Sequence, residues 1–190
     1  MNSLIKQRIT ECTLVQNELL KDVQLLSLIE DISRKIIDCI KAGNKVIFAG
    51  NGGSFSDSFH LAGEFVSKFM FDRAPLPAIA LGGNNSIITA IGNDYSFEDI
   101  FSREIESIGA RGDVFIAIST SGNSKNVLKA IKIANEIGIT TYGFTGNGNG
   151  SINLLCRCVS VPSGVTARIQ EAHIMIGHII CEIVEKEIFN

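Results

Sequence analysis

Two glycine- and hydroxyl-rich loops and two helical stretches carry the side chains whose types and spacing can do chemistry. Gly50-Asn51-Gly52-Gly53-Ser54 follows the apolar run Val46-Ile47-Phe48-Ala49 and precedes a helical stretch. Glycines let a backbone approach a ligand closely, and a helix start offers free N–H groups at the positive end of its dipole. That combination favours an anion. Ser119-Thr120-Ser121-Gly122-Asn123-Ser124 follows a second apolar run, Val114–Ile118, and precedes another helical stretch. Each of its four hydroxyls can donate one hydrogen bond to a phosphate oxygen. No Lys or Arg stands in the loop before Lys125, so the implied ligand is a compact phosphate held by neutral donors. A dinucleotide fingerprint needs glycine at position 55, where this chain has Phe55, and the lysine of a P-loop is missing.

The acid–base groups lie on the other two segments. His60 and Glu64 are four residues apart on the helix after the first loop, so they share a face and can reach one substrate or one metal ion. The C-terminal apolar stretch carries Arg168, Gln170, Glu171, His173 and His178. All three histidines of the chain fall in these two segments. Neutral His is a common metal ligand and an acid or base near pH 7. The same spacings also suit a solvated His–Glu pair and a hydrogen-bonded core histidine.

Elements of two kinds must position these groups. Residues 3–21 and 24–42 carry apolar side chains at helical spacing, and Gly43 closes the second helix. Short apolar runs then recur at 46–49, 78–81, 114–118, 140–144 and 158–161, as buried parallel strands do. Helical segments separate most of them: 55–70, 85–91 with 97–108, 125–137 and 167–188. The connection at 146–157 is too short for a full helix. Strands alternating with helices predict an α/β fold with a mainly parallel sheet, whose ligands sit beyond the C-terminal strand ends.

The chain has 190 residues, enough for one domain with a sizeable core. A net charge of −3 gives no general attraction for nucleic acid. A mean hydropathy of +0.25 excludes a disordered chain. No apolar stretch reaches the length of a membrane span, and the N-terminus lacks a secretory signal. Five cysteines (Cys12, Cys39, Cys156, Cys158, Cys181) without CxxC spacing read as reduced structural thiols of a cytoplasmic protein.

Taken together, the motifs resemble those of the sugar isomerase (SIS) domain family, and within it the phosphoheptose isomerases. They are GNGGS at 50–54, HLAGE at 60–64, IGND at 91–94, ISTSGNS at 118–124, FTGNGNG at 144–150 and RIQEAHIMIGH at 168–178. The resemblance covers nearly the whole chain. It implies a single SIS domain over 1–190: a three-layer α/β/α sandwich with a five-stranded parallel sheet and an N-terminal helical pair. Residues 1–43 would serve oligomerisation and 44–190 would form the sugar-phosphate-binding core. A homotetramer is implied, with active sites at subunit contacts.

The implied reaction converts D-sedoheptulose 7-phosphate to D-glycero-D-manno-heptose 7-phosphate, the first step toward the heptoses of bacterial lipopolysaccharide or other surface glycans. Carried over by position, Ser54, Ser119, Thr120, Ser121 and Ser124 would hold the phosphate, and Gly52 and Gly53 would also bind substrate. Asn51 and Asp94 would contact the sugar or shape its pocket, and Asn93 and Gln170 would also bind substrate. Glu64 and His178 match the paired acid–base residues. His60, Glu64, Gln170 and His178 match the ligands of a zinc ion, one per subunit. His173 carries no implied role. Ala167 stands where some members have an acidic residue, and Phe55-Ser56 and 147–150 look like local variation.

Moving a carbonyl between C2 and C1 needs a base for the carbon-bound proton and an acid for the oxygens. Glu64 is assigned as the base that forms a cis-enediol(ate), with His178 complementary to it. On one straight helix Gln170 and His178 differ by about 12 Å along the axis. Both reach one ion only if their side chains converge, if the segment starts non-helically, or if different subunits donate. Three other readings compete: a non-enzymatic regulator of the DnaA initiator-associating type, an SIS sugar-phosphate sensor, and an isomerase of another phosphosugar. The complete acid–base set favours an enzyme over the regulator.

Overall fold

A computed structural model describes residues 1–148 and 150–189. Asn149 of the FTGNGNG motif and Asn190 lie outside the described residues. The chain begins with two long helices, α1 (Asn2–Lys21) and α2 (Val23–Lys41). Asp22 caps α2, its carboxylate accepting from the Leu25 N–H at 3.0 Å. Gly43 ends that helix at φ +82°, a conformation that favours glycine.

The alternating part follows as β1 (Val46–Gly50), α3 (Gly53–Val66), β2 (Ala78–Ala80), α4 (Asn85–Asp94), α5 (Ile100–Ile108), β3 (Val114–Ile118), α6 (Lys125–Ile137), β4 (Thr140–Gly146), β5 (Arg157–Val161) and α7 (Thr166–Phe189). The expected connection after β4 is a short 3-10 turn, Ser151–Leu154. The five strands pair in parallel in the order β2-β1-β3-β4-β5. The expected three-layer sandwich is therefore present.

Strand periodicity divides the core. Val46, Phe48, Val114, Ile116, Tyr142 and Phe144 face one side and pack under α2, α3 and α7. Ile47, Ala49, Phe115 and Ala117 face the other side and pack under α5 and α6. β1 and β3 are buried along their whole length, which explains their unbroken apolar runs.

The helix expected over 55–70 instead runs from Gly53 to Val66. Its end has a specific cause. The N–H groups of Phe69 and Met70 donate to the Glu185 carboxylate at 2.9 and 2.7 Å. Arg73 binds Glu185 and also donates to the carbonyls of Glu64 and Phe65. Arg73 and Glu185 are both buried, and this pair takes up backbone groups that a longer helix would have used.

Candidate active site

Strand order sets the place of the site. From β1 the chain goes to β2 on one side, and the sheet continues through β3 on the other. The two phosphate-type loops leave the C-terminal ends of β1 and β3, which are adjacent, with Gly50 paired to Ile118. This is the crevice where open parallel sheets bind ligands.

Both loops run into helix starts that keep donors available. Gly52, at φ +58°, precedes α3 and supplies no side-chain cap, and α3 has no acidic residue in its first turn. Two glycines there pack closely, Gly50 against backbone and Gly53 against the flexible end of the Gln170 side chain. A Cβ on Gly50 would lie 2.7 Å from the Ser54 carbonyl oxygen, and one on Gly53 would lie 2.4 Å from the Gln170 amide nitrogen. In the second loop Ser124 precedes α6, yet its hydroxyl does not cap the helix. It pairs instead with the Ser119 hydroxyl at 2.9 Å. The Ser121 hydroxyl accepts from the Asn123 N–H, and Gly122 takes φ +66°. The Ser124 hydroxyl thus does not cap α6, and the first turn of that helix has no acidic residue.

Asn126, which sequence reasoning passed over, joins the two loops. Its side-chain amide exchanges hydrogen bonds with that of Asn51, at 2.8 and 2.9 Å, and it is 2% exposed. The segment read as local variation also has a packing role. Gly150 lies against Gly122, the Gly146 N–H donates to the Thr120 carbonyl, and the Ile152 N–H donates to the Gly122 carbonyl.

The acid–base candidates gather about two turns further along α3. His60 and His178 place their Nε2 atoms 2.9 Å apart, and His60 Nε2 lies 3.1 Å from Glu64 Oε1. Ligand atoms of all three lie within 4.8 Å of one another. Two imidazoles and one carboxylate form a donor set suited to Zn²⁺. Phe69 covers His178, ring centroids 5.5 Å apart. Asp57, one turn before His60, is a second residue missed from sequence. Its Oδ2 is buried without a hydrogen-bond partner, and burial raises its carboxyl above the ordinary range against the pull of His60 and His178. Its spacing of three from His60 was the available signal.

The remaining site candidates lie elsewhere. Gln170 rests against Gly53, seven residues before His60 on α3, and α7 is helical from Thr166 onward. A non-helical start to that segment is therefore excluded. Asn93 and Asp94 end α4, exposed, the Asn93 amide donating to the Asp94 carboxylate at 2.7 Å. Among the described residues no hydrogen bond links them to either loop. His173 is 1% exposed, with Nε2 at 3.1 Å from the Thr145 carbonyl, and burial lowers its pKa to about 4. It is a neutral core group, and no site role attaches to it.

Comparison with known proteins agrees with this geometry. The SIS domain family matches residues 15–146. Phosphoheptose isomerase 2 of Campylobacter jejuni is 52% identical over all of this chain and 95% of that protein. The phosphoheptose isomerase of Clostridium acetobutylicum is 52% identical over all of this chain and 97% of that protein. Phosphoheptose isomerase GmhA from Neisseria gonorrhoeae superposes with a TM-score of 0.89 at 34% identity, covering 96% of this chain and 98% of its own. A phosphoheptose isomerase from Francisella tularensis does so with a TM-score of 0.91 at 31% identity, covering 98% and 100%. The chain, with its crevice at the β1–β3 junction and its His–Glu–His group, belongs to the phosphoheptose isomerase family of SIS-domain enzymes.

Proposed function

We propose that the protein converts D-sedoheptulose 7-phosphate to D-glycero-D-manno-heptose 7-phosphate and so supplies heptose for lipopolysaccharide or other surface glycans. One observation carries this reading beyond the family. Gly53, Asp57, His60 and Glu64 follow one another at helical spacing along a single face of α3. The face begins at the phosphate turn and reaches His60 about 10 Å further on. An extended seven-carbon sugar anchored by its terminal phosphate spans such a distance and brings C1 and C2 to the acid–base group.

The phosphate is held by Ser54, Ser119, Thr120, Ser121 and Ser124 with the backbone of Gly52 and Gly53. Anchoring the far end fixes the reacting carbons and converts binding into orientation. Glu64 removes the C1 proton of the open-chain ketose, giving a cis-enediolate. His178, on the other side of the cluster, delivers and withdraws the oxygen-bound protons, and reprotonation at C2 yields the aldose. Asn51 shapes the pocket rather than touching the sugar, since its amide is engaged by Asn126.

His60, Glu64 and His178 would hold one zinc ion per subunit. When bound, the ion polarises the carbonyl and hydroxyl oxygens of the sugar. With its amide against Gly53, Gln170 contacts substrate in its own subunit and reaches the ion only by donation from another. Asn93 and Asp94 are assigned to contacts with the sugar or to the shape of its pocket. Homotetramer formation through residues 1–43 is supported by α1, which exposes Leu4, Ile5, Ile9 and Leu14. Residues 44–190 form the sugar-phosphate-binding core of the single domain. Five free thiols favour a cytoplasmic setting, and no helix among the described residues is long and apolar enough to cross a membrane.

The test is a substrate panel. Purified protein is offered sedoheptulose 7-phosphate and, in parallel, fructose 6-phosphate, with aldose phosphate read by chromatography and mass spectrometry. Conversion of the heptulose alone is expected. Preferred conversion of the hexulose, or binding without any conversion, contradicts the assignment.

A further inference from the structure

Cys156 and Cys158 place their sulfur atoms 3.8 Å apart beside β5, the edge strand of the sheet. Both are half-buried, and both line a cleft of about 700 Å³ between the start of α2 and residues 153–158. Cys156 lies in the bend before β5 and not in its ladder, so its backbone is free of strand pairing. The Cys156 sulfur also lies 3.7 Å from the Ile152 carbonyl, and the Cys158 sulfur lies against Gly143 of β4. Ile152 is fully buried and leads directly to the second phosphate loop. Its N–H donates to the Gly122 carbonyl at 3.0 Å, and Gly122 N–H donates to the Ser119 carbonyl at 2.9 Å.

We propose that Cys156 and Cys158 are a peroxide-oxidisable thiol pair whose closure to a disulfide is transmitted through Ile152 to the Ser119–Ser124 loop. The chemistry balances with a hydroperoxide as oxidant. The Cys158 thiolate attacks the terminal peroxide oxygen, the O–O bond breaks, and hydroxide or alkoxide leaves and is protonated to water or alcohol respectively. The sulfenic acid formed on Cys158 is then attacked by the Cys156 sulfur, which releases water and forms the S–S bond. Two electrons pass from the sulfurs to the peroxide. Cys158 is taken as the attacking sulfur and Cys156 as the resolving one, and the 3.8 Å contact between them lets either thiol serve the other. Closing the sulfurs from 3.8 Å to a bonded separation of about 2.05 Å draws Cys156 off the Ile152 carbonyl. The transmission to substrate rests on the phosphate reading of the loop; the pairing does not.

The experiment treats the full-length protein with hydrogen peroxide and maps thiols by alkylation and peptide mass spectrometry. The expected product is a 156–158 disulfide, reversed by dithiothreitol. In Cys156→Ser a dimedone adduct is expected on Cys158. No disulfide and no adduct, or preferential oxidation of Cys12, overturns the pair. Apparent KM for the sugar phosphate is then measured before and after oxidation. A several-fold rise that dithiothreitol reverses and Cys156→Ser abolishes supports the transmission. An unchanged KM in fully oxidised protein overturns it. Protein with no isomerase activity would sink the functional reading while the thiol map still decides the pairing.

Discussion

Asn51 and Asn126 exchange two amide hydrogen bonds across the junction of β1 and β3, so the glycine turn and the hydroxyl loop are held as one unit. Asn126 also accepts from the Val127 N–H with the same oxygen that Asn51 uses. Replacing it with Ala leaves the Asn51 amide without its partner in a partly buried place. The expected cost is about 1–3 kcal/mol in folding free energy. KM for the sugar phosphate should rise more than kcat falls, because the loops lose their spacing while the acid–base group is untouched. Urea unfolding with steady-state kinetics checks both. A variant with native KM would show that the loops are held by other means.

The hydroxyl loop gives a second prediction. Ser121→Ala removes one phosphate donor and also the acceptor for the Asn123 N–H. The interaction exists in ground and transition states alike, so its loss should raise KM by about tenfold with little change in kcat. Steady-state kinetics decides. A fall in kcat at constant KM would move Ser121 out of the phosphate site.

The His60–Glu64–His178 cluster predicts metal content as well as rate. Protein purified with zinc should hold about one ion per subunit, read by elemental analysis, since three ligands on two helices converge there. His60→Ala should lose most of it, and dialysis against a chelator should lower turnover of the parent protein. Full zinc occupancy in His60→Ala would place the ion elsewhere.

Burial of His173 makes stability depend on pH in a defined direction. Its pKa falls from 6.5 to about 4 on folding, so the native state refuses a proton that the unfolded state accepts. The stabilisation is complete above pH 6.5, declines as pH drops toward 4 and is flat below. The gap corresponds to about 3 kcal/mol. Chemical denaturation between pH 7 and 4 should show this loss in the parent protein and much less of it in His173→Gln. Equal pH slopes in the two would contradict the assignment.

The sheet was legible because β1 and β3 are buried on both faces, and an unbroken apolar run is what such strands require. The two glycine and hydroxyl loops were legible because their chemistry is local: glycines, hydroxyls and a helix start sit together in sequence. The end of α3 was not legible, because Glu185 and Arg73, more than a hundred residues apart, take over its last backbone groups. Asn126 escaped for the same reason, since its partner lies 75 positions away and nothing local marks it. Gln170 is the opposite case. Its helical distance from His178 already set the difficulty, and the continuous α7 leaves it beside Gly53 in its own subunit.

The central claim is that Glu64 carries a proton between C1 and C2 of a heptulose phosphate. Proton NMR of the purified protein with sedoheptulose 7-phosphate in deuterated water tests it most directly, with Glu64→Gln in a parallel tube. The account predicts an aldoheptose phosphate that carries deuterium at C2 in the fraction of turnovers in which the Glu64 carboxyl exchanges its proton with solvent before delivering it. Glu64→Gln should slow its formation at least about a hundredfold while still binding the sugar phosphate. Near-normal conversion by Glu64→Gln would contradict the role given to Glu64.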